Sequence, residues 1–529
     1  MIRSPFGWLT AATAMLVLAP LLALALVALE PTGLDALLHL ISTVLPRYTL
    51  TSLLLVLQVA LFVLLLGVGA AWLVAAYDFP ARRLLEIAMI LPLAMPAFVM
   101  AYAYTDFLDT SGGLQSWLRA VTGWQIGDYW FPPVRSVTGA ALFLALALYP
   151  YVYMLARNAF AERSESLAEA ARSLGTPALL VWWRVTWPVA RPAVAAGLTL
   201  VIMETLADFG TVSFFAVDTF SAGIYRAWQG LGDRAGAARL ALVLLAAVVL
   251  LVWLERSLRG RMAFHGRAHR PARVRRLAGA RAWGATAACL VPVVLGFGLP
   301  SLLLLANWQR EGGVLDPRLA GWAWNTALLS GFAVALVVPL ALALAYALRL
   351  MPSRRMELVA AVTSSGYAVP GVVLGVGLLA VVGTVDRLVA GWWGGLLLGG
   401  TAVAVIYAYC VRFFAVAQQG LEASLKRIGP SMDASARTLG ASQAEVLRRV
   451  HWPLLRPSIA TAALLVFVDC LKELPATLVL RPFNFDTLAV IAYHYASDER
   501  LGEAAMPSLV IVLVGLLPVT ILARSFRSR

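Results

Sequence analysis

The chain is poor in charge for its length and almost free of lysine. Only 13% of its 529 residues are Asp, Glu, Lys or Arg, and the only lysines are Lys426 and Lys472. Soluble globular proteins carry about a quarter charged residues, so this scarcity argues against a soluble enzyme or a disordered chain. The three cysteines have no partner at metal-ligand spacing, which argues against a disulfide framework and a zinc site.

The chain is correspondingly rich in apolar residues. They make up 61% of the chain, and the mean hydropathy is +0.81. A helix needs about 20 apolar residues to cross a bilayer. The sequence therefore predicts an all-α polytopic membrane protein with twelve spans, near residues 8–29, 50–76, 84–106, 136–158, 193–217, 236–254, 283–307, 323–349, 357–382, 394–417, 458–479 and 504–523.

The positive charges lie between the apolar segments. The net charge is +14, and residues 256–281 alone hold nine arginines and no acid. The positive-inside rule explains this pattern better than nucleic-acid binding does, because no aromatic residues are interleaved for base stacking. We expect a basic cytoplasmic linker against lipid headgroups, with both termini in the cytoplasm.

The two sides of this linker repeat one another. The segment "EAARSLGTPALLVWWRVTWPVARP" and the segment "ASARTLGASQAEVLRRVHWPLLRP" align without a gap at an offset of 265 residues. Both have the same direction and the same place between spans, so the repeat is a parallel one, about an axis along the membrane normal. The predicted domains are a first half at 1–255, a linker at 256–281 and a second half at 282–529.

Each repeated segment lies in a loop of helical character. Gly175 and Gly440 suit a left-handed helix end, and Ser442 with Glu445 has capping-box spacing. Pro188 and Pro453 are predicted to break the helix that follows. One alternative is an amphipathic helix lying on the membrane. The repetition and the "VWW" stripe favour a docking element for a partner protein.

The first loop resembles the EAA loop of ABC importer permeases. The residues that carry the resemblance are Glu169, Ala170, Ala171, Gly175 and Pro188. The second loop keeps Ala436, Gly440 and Pro453, but Ala434 stands where the glutamate is expected and the nearest acid is Asp433. The resemblance implies that each loop couples the permease to an ATPase subunit, and the missing glutamate implies unequal docking.

The chain has no phosphate-binding loop of its own, because neither lysine follows the required glycines. ATP and Mg²⁺ are therefore expected on a separate ATPase chain, and the resemblance with its two loops implies two copies of that chain. No cofactor is expected on this chain, and no catalytic residue is assigned.

Acidic residues lie inside the span that follows each loop. Glu204 aligns with Asp469 and Asp208 with Glu473, again at the offset of 265. The i,i+4 spacing predicts that each pair faces one side of a helix. Carboxylates in a membrane are costly and are usually functional, and they suit a small, highly charged cation. The alternative is structural: Lys472 pairs with Asp469 or Glu473, and the acids hold helix ends.

The segments "METLADFGTV" and "KELPATLVLRPFNFDTLA" resemble the ferric-iron permeases among ABC importers. This resemblance implies a fused permease in the bacterial inner membrane that receives ferric iron from a periplasmic binding protein. The four carboxylates are then the candidate path for the transported metal. Two alternatives stay open: the same importer class with another substrate such as thiamine, and an ion-driven secondary transporter.

Two further features of the spans suggest a pathway. Pro96 and Pro370 interrupt the third and ninth spans in comparable places, where an opened helix can line a pore. Tyr102 and Tyr367 near these breaks offer phenol oxygens, although tyrosines at such places are more often packing residues.

Overall fold

In the part of the chain that the structure describes, the fold is all-α apart from one pair of two-residue strands. The computed structural model describes residues 5–31, 38–161, 169, 171–259, 274–393 and 398–527. Ahead of the basic segment the α-helices are Pro5–Ala28, Leu45–Val63, Gly69–Ala76, Arg82–Ala88, Ala97–Leu108, Gly113–Thr122, Val137–Ala161, Ala178–Val181, Trp187–Ala207, Gly210–Phe214, Phe220–Tyr225 and Arg234–Arg259. After it they are Ala280–Val293, Leu299–Arg310, Leu319–Leu350, Arg354–Ser365, Gly371–Trp393, Ala402–Arg427, Pro430–Thr438, Gln443–Val446, Trp452–Leu471, Pro475–Leu480, Leu488–Ser497 and Leu501–Arg527.

Short irregular turns join many of these helices into longer ones. Six are π-helical, with hydrogen bonds that span one residue more than in an α-helix: Leu40–Val44, Leu64–Val68, Trp182–Thr186, Arg226–Gly230, Val294–Gly298 and Leu447–His451. Two are 3₁₀ turns, Leu91–Ala94 and Gly366–Ala368. The strands Tyr77–Asp78 and Arg275–Arg276 pair in parallel.

Most of the twelve predicted spans are present among the described helices, but not all of them reach the length of a full span. Within the described residues, ten helices are long and apolar enough to cross a membrane, and an eleventh candidate is bent by 92° between Ala94 and Ala97. The first predicted span corresponds to the shorter apolar helix Ala12–Ala28. The prediction of an all-α polytopic membrane protein is confirmed.

The chain forms two compact units, and each takes segments from both halves of the sequence. Unit I comprises Leu37–Gly223, Ala246–Leu315 and Ala492–Arg529. Unit II comprises Met1–Ala36, Ile224–Leu245 and Asp316–Ile491. The predicted boundaries at 255/256 and 281/282 describe the repeat in the sequence and stay a prediction, and residues 260–273 of the linker lie outside the described part.

The same packing recurs in each unit. In unit I, helix Val137–Ala161 packs between Leu45–Val63 and Trp187–Ala207. In unit II, helix Ala402–Arg427 packs between Leu319–Leu350 and Trp452–Leu471. Each central helix therefore positions the helix that carries the first acid of a pair, Glu204 or Asp469.

Candidate functional site: two coupling loops and two acidic helix breaks

The two repeated loops are called coupling loops below, after the role that the resemblance implies for them. The second one consists of a helix, a tight turn and another helix. Helix Pro430–Thr438 ends in a turn at Gly440, whose φ is +83°. The Gly440 amide donates to the Arg437 carbonyl, and the Ala441 amide donates to the Ala436 carbonyl. These two bonds are the Schellman pattern that only glycine adopts easily. Ser442 and Glu445 then exchange hydrogen bonds as a capping box, as predicted.

The first loop has the same turn. Gly175 has a φ of +81°, its amide donates to the Arg172 carbonyl, and the Thr176 amide donates to the Ala171 carbonyl. Glu169 is exposed. Ala170 and residues 162–168 lie outside the described residues. The sequence therefore predicted the geometry of both turns correctly.

An exposed leucine marks the tip of each loop, and sequence reasoning missed it. Leu174 is 86% exposed and Leu439 is 88% exposed, and they align at the offset of 265. A large apolar side chain held in water by a rigid turn is typical of a protein-binding surface. The signal in the sequence was a leucine directly before the turn glycine in both copies.

The prolines after the loops do not break the helix, which corrects the prediction. The π turns Trp182–Thr186 and Leu447–His451 run directly into helices that begin at Trp187 and Trp452. Pro188 and Pro453 are therefore in the first turn of these helices, where a missing N–H is tolerated. The tryptophans of the first copy pack mainly on one another: Trp182 stacks on Trp187 with ring centroids 5.6 Å apart, while Trp183 is half-exposed.

Asp433 points into unit II, toward its transmembrane helices. Its two carboxylate oxygens accept hydrogen bonds from Arg349 at 2.9 and 3.1 Å, and one also accepts from His451 Nε2 at 2.8 Å. Burial raises the pKa of this carboxyl, but the bonds from Arg349 and His451 outweigh it and hold the pKa below its usual range. Asp433 thus has partners within the chain, whereas Glu169 of the first copy faces solvent.

The helix ends between the two acids of each pair, which corrects the prediction that both face one side of a helix. Helix Trp187–Ala207 stops directly before Asp208, and Trp452–Leu471 stops before Lys472. The cause is the next helix, because Asp208 and Glu473 each satisfy its free amide groups. Asp208 accepts from the Thr211 and Val212 amides at 3.1 Å, and Glu473 accepts from the Ala476 and Thr477 amides at 3.1 and 3.0 Å.

The second acidic pair is neutralised within unit II. The Arg412 guanidinium lies 3.5 Å from Glu473, whose side chain is 2% exposed, and Lys472 lies 2.9 Å from Asp469. The structural alternative is therefore correct for Lys472, and its ion-pair partner is Asp469. Arg412 was missed because Ala147 occupies its aligned position in the first half, so the repeat gave no signal.

A glycine makes room for this charged pair. A Cβ on Gly371 would lie 2.4 Å from an Arg412 nitrogen and 2.7 Å from a Glu473 oxygen. Gly371 directly follows Pro370, one of the two prolines predicted to interrupt spans. Both interruptions occur as predicted, each as a 3₁₀ turn followed by proline and a new helix.

The first acidic pair belongs to unit I. Both Glu204 and Asp208 are partly exposed, and within this unit Tyr102 lies nearby, fully buried and edge-on to Phe214 with ring centroids 4.7 Å apart. Within the described residues of either unit, no three His, Cys, Asp or Glu side chains are grouped closely enough to hold a metal ion. A joint site of all four carboxylates stays a prediction.

Comparison with known proteins gives a consistent pattern. Residues 63–263 and 337–529 each match the family model described as "Binding-protein-dependent transport system inner membrane component". A similar protein is the Fe(3+)-transport system permease protein FbpB 2 of Haemophilus influenzae, 26% identical over 89% of this chain and 88% of that protein. The ferric transport system permease protein FbpB of Actinobacillus pleuropneumoniae is 23% identical over 81% of this chain and 64% of that protein.

A shorter relative matches one half-length of the chain. The molybdenum transport system permease protein ModB of Escherichia coli is 30% identical over 211 residues, which cover 38% of this chain and 89% of that protein. The repeat seen within this chain therefore corresponds in size to a whole permease in other systems.

Proposed function

The chain belongs to the family of binding-protein-dependent transport system inner membrane components, and from this membership we propose that it is the fused permease of an ATP-driven ferric-iron importer. It takes ferric iron from a periplasmic binding protein and passes it to the cytoplasm by alternating access. The observation that carries the proposal is the coupling loop, formed twice with the same glycine turn and the same exposed leucine.

The two loops support two ATPase partners. Leu174 and Leu439 each offer an apolar side chain to a groove on a partner, and burying such a side chain contributes about 1.5–3 kcal/mol. ATP and Mg²⁺ bind to those ATPase chains, so this chain is a transport subunit and does not catalyse hydrolysis. Both termini lie in the cytoplasm, on the side of the arginine-rich linker.

Charge supports iron over an oxyanion such as molybdate. The names of relatives include both metals, so family membership leaves the substrate open. The Asp208 carboxylate accepts hydrogen bonds from the Thr211 and Val212 amides and from the Thr211 hydroxyl. Among the described residues, no basic side chain forms a salt bridge with it. A negative group in this position attracts a cation and repels an oxyanion. Glu204 and Asp208 are thus the first candidates for the cation path, and Asp469 and Glu473 are the aligned candidates in the second half.

The experiment is uptake into proteoliposomes that hold the chain with its ATPase. Radiolabelled ferric iron, molybdate and thiamine are each supplied with the binding protein, with and without ATP inside. ATP-dependent uptake of iron alone supports the proposal. Uptake of another substrate changes the substrate but keeps the importer. Iron uptake that needs a proton gradient and no ATP would instead favour the ion-driven transporter.

A further inference from the structure

The candidate is a partly buried charged cluster formed by Arg349, Asp433 and His451 beside helix Pro430–Thr438, which is the coupling helix of the second loop. The side chains of these residues are 16%, 19% and 1% exposed. Asp433 lies in the first turn of helix Pro430–Thr438, where a negative charge also interacts favourably with the helix dipole.

Arg349 joins this helix to two others. It stands in the last turn of helix Leu319–Leu350 and donates to the Leu425 and Ile428 carbonyls at 2.6 and 2.9 Å, at the end of helix Ala402–Arg427. The same guanidinium holds both oxygens of Asp433. Arginine suits this place because its planar fork makes several bonds in fixed directions.

His451 connects the cluster to a third helix. It ends the π turn Leu447–His451, which runs into helix Trp452–Leu471, the helix that carries Asp469. Its Nε2 donates to Asp433, and its ring packs edge-on against Tyr346 with centroids 5.6 Å apart. The Asp433 carboxylate therefore connects the coupling helix to three long helices of unit II. Two of these connections run through Arg349 and the third runs through His451.

From this geometry we infer that Asp433 is a positioning residue, which transmits movement of the second coupling helix to the three helices that surround it. The inference rests on the proposed importer function. It differs from the role that the EAA resemblance implies for Asp433, because both carboxylate oxygens are occupied inside the chain and contact with the ATPase falls to exposed residues such as Leu439.

The three aligned positions of the first half carry different residue types. At the offset of 265, Ala168 aligns with Asp433 and Thr186 with His451. The motifs Pro80-Ala-Arg-Arg and Pro352-Ser-Arg-Arg differ by 272 residues, which aligns Tyr77 with Arg349. At these three positions only the second half carries the charged set, so we expect the two loops to transmit force unequally.

The test uses the chain reconstituted with its ATPase and iron-loaded binding protein, and measures iron transported per ATP hydrolysed. We expect Asp433→Ala and Arg349→Met each to lower this ratio by about two- to thirty-fold while the ATPase still co-purifies. The double variant is no worse than either single one, since both remove one connection. Glu422→Ala, which removes an exposed pair with Lys426 on a neighbouring helix, is the matched control and leaves the ratio unchanged.

Conservative variants keep the test decisive if these changes impair folding. His451→Gln retains an N–H donor for Asp433 and should keep the coupling ratio, whereas His451→Leu should lower it. Loss of ATPase binding in Asp433→Ala with a normal Arg349→Met protein would overturn the inference and make Asp433 a docking residue. Additive effects in the double variant, or an unchanged ratio, would overturn it too. Wild-type proteoliposomes without ATP-dependent uptake would instead contradict the importer function.

Discussion

The helix breaks after Ala207 and Leu471 have the same backbone arrangement but different charge. In both, a carboxylate accepts hydrogen bonds from the amides three and four residues ahead and thereby starts a short helix. Glu473 also lies beside Arg412, whereas the first-half residue that aligns with Arg412 is Ala147. The capping bonds are shared by both breaks and serve the structure. We therefore expect a difference in transport between the halves to come from the arginine that neutralises Glu473 in the second half.

The largest effect is expected at the coupling turns, where the two halves are alike. Gly440→Pro and Gly175→Pro should each abolish uptake, because proline fixes φ near −65° and removes the amide that bonds to Arg437 or Arg172. Uptake assays with co-purification of the ATPase measure this. Gly420→Ala, in a helix with open space around it, is the control and should behave as wild type. Normal uptake in both proline variants would remove the coupling role.

The next largest effect is a loss of stability that we expect at the second helix break. Glu473→Gln should destabilise the protein by about 3–5 kcal/mol, because it leaves Arg412 charged and buried without a counter-ion. Adding Arg412→Met should recover much of the loss. Melting temperatures in detergent measure both. A Glu473→Gln protein as stable as wild type would show that the pair is not a structural charge pair.

A smaller stability effect is expected at the first break. Asp208→Asn keeps an oxygen for the Thr211 and Val212 amides, so the change in stability should stay within about 1 kcal/mol. Iron uptake should nevertheless fall strongly if Asp208 serves a cation. Asp208→Glu, which retains the charge, is the comparison. Unchanged uptake with Asp208→Asn would leave the acid as a helix cap alone.

The smallest effect on stability is expected at the partly exposed ion pair of Asp469 and Lys472. Asp469→Asn together with Lys472→Met should change stability by less than about 1 kcal/mol, because both side chains are partly exposed. Asp469→Asn alone should also be mild. If Asp469 lies on the cation path, uptake falls in the single and the double variant alike. Transport restored by the lysine change would assign Asp469 to the scaffold.

Acid sensitivity sharpens the comparison of the coupling loops. The pKa of Asp433 is lower in the folded protein than in the unfolded chain, so this group binds protons more readily when unfolded. Its stabilising contribution is complete above pH about 4 and is lost as the pH falls through its folded pKa. Asp433→Asn should therefore flatten the fall in melting temperature below pH 4. An identical acid profile would show that the carboxylate is not held by Arg349 and His451.

Features that occur in both halves could be predicted from the sequence, whereas the arginine ion pairs that occur in one half could not. The apolar segments and the capping box depend on local patterns, and the glycine turns appear twice, so these features could be predicted from short stretches of sequence. Among the described residues, ten or eleven of the twelve predicted segments are long enough to be full spans. Arg412 and Arg349 contact acids 61 and 84 residues away, and neither has a charged counterpart in the other half. Hydrophobic periodicity places an arginine on a helix but does not choose its partner. The continuous helix predicted through Asp208 and Glu473 was wrong because their capping bonds compete with the helix.

The two π turns that follow the coupling loops bear on how the repeat arose. Each holds one residue more than an α-helical turn, and the two lie at 182–186 and 447–451, in register at the same offset as the loops. An insertion made in one half alone would have shifted the alignment by one residue from that point onward, yet the offset stays at 265 through both acidic pairs. This shared register is the one that duplication of a half already holding this π turn would leave.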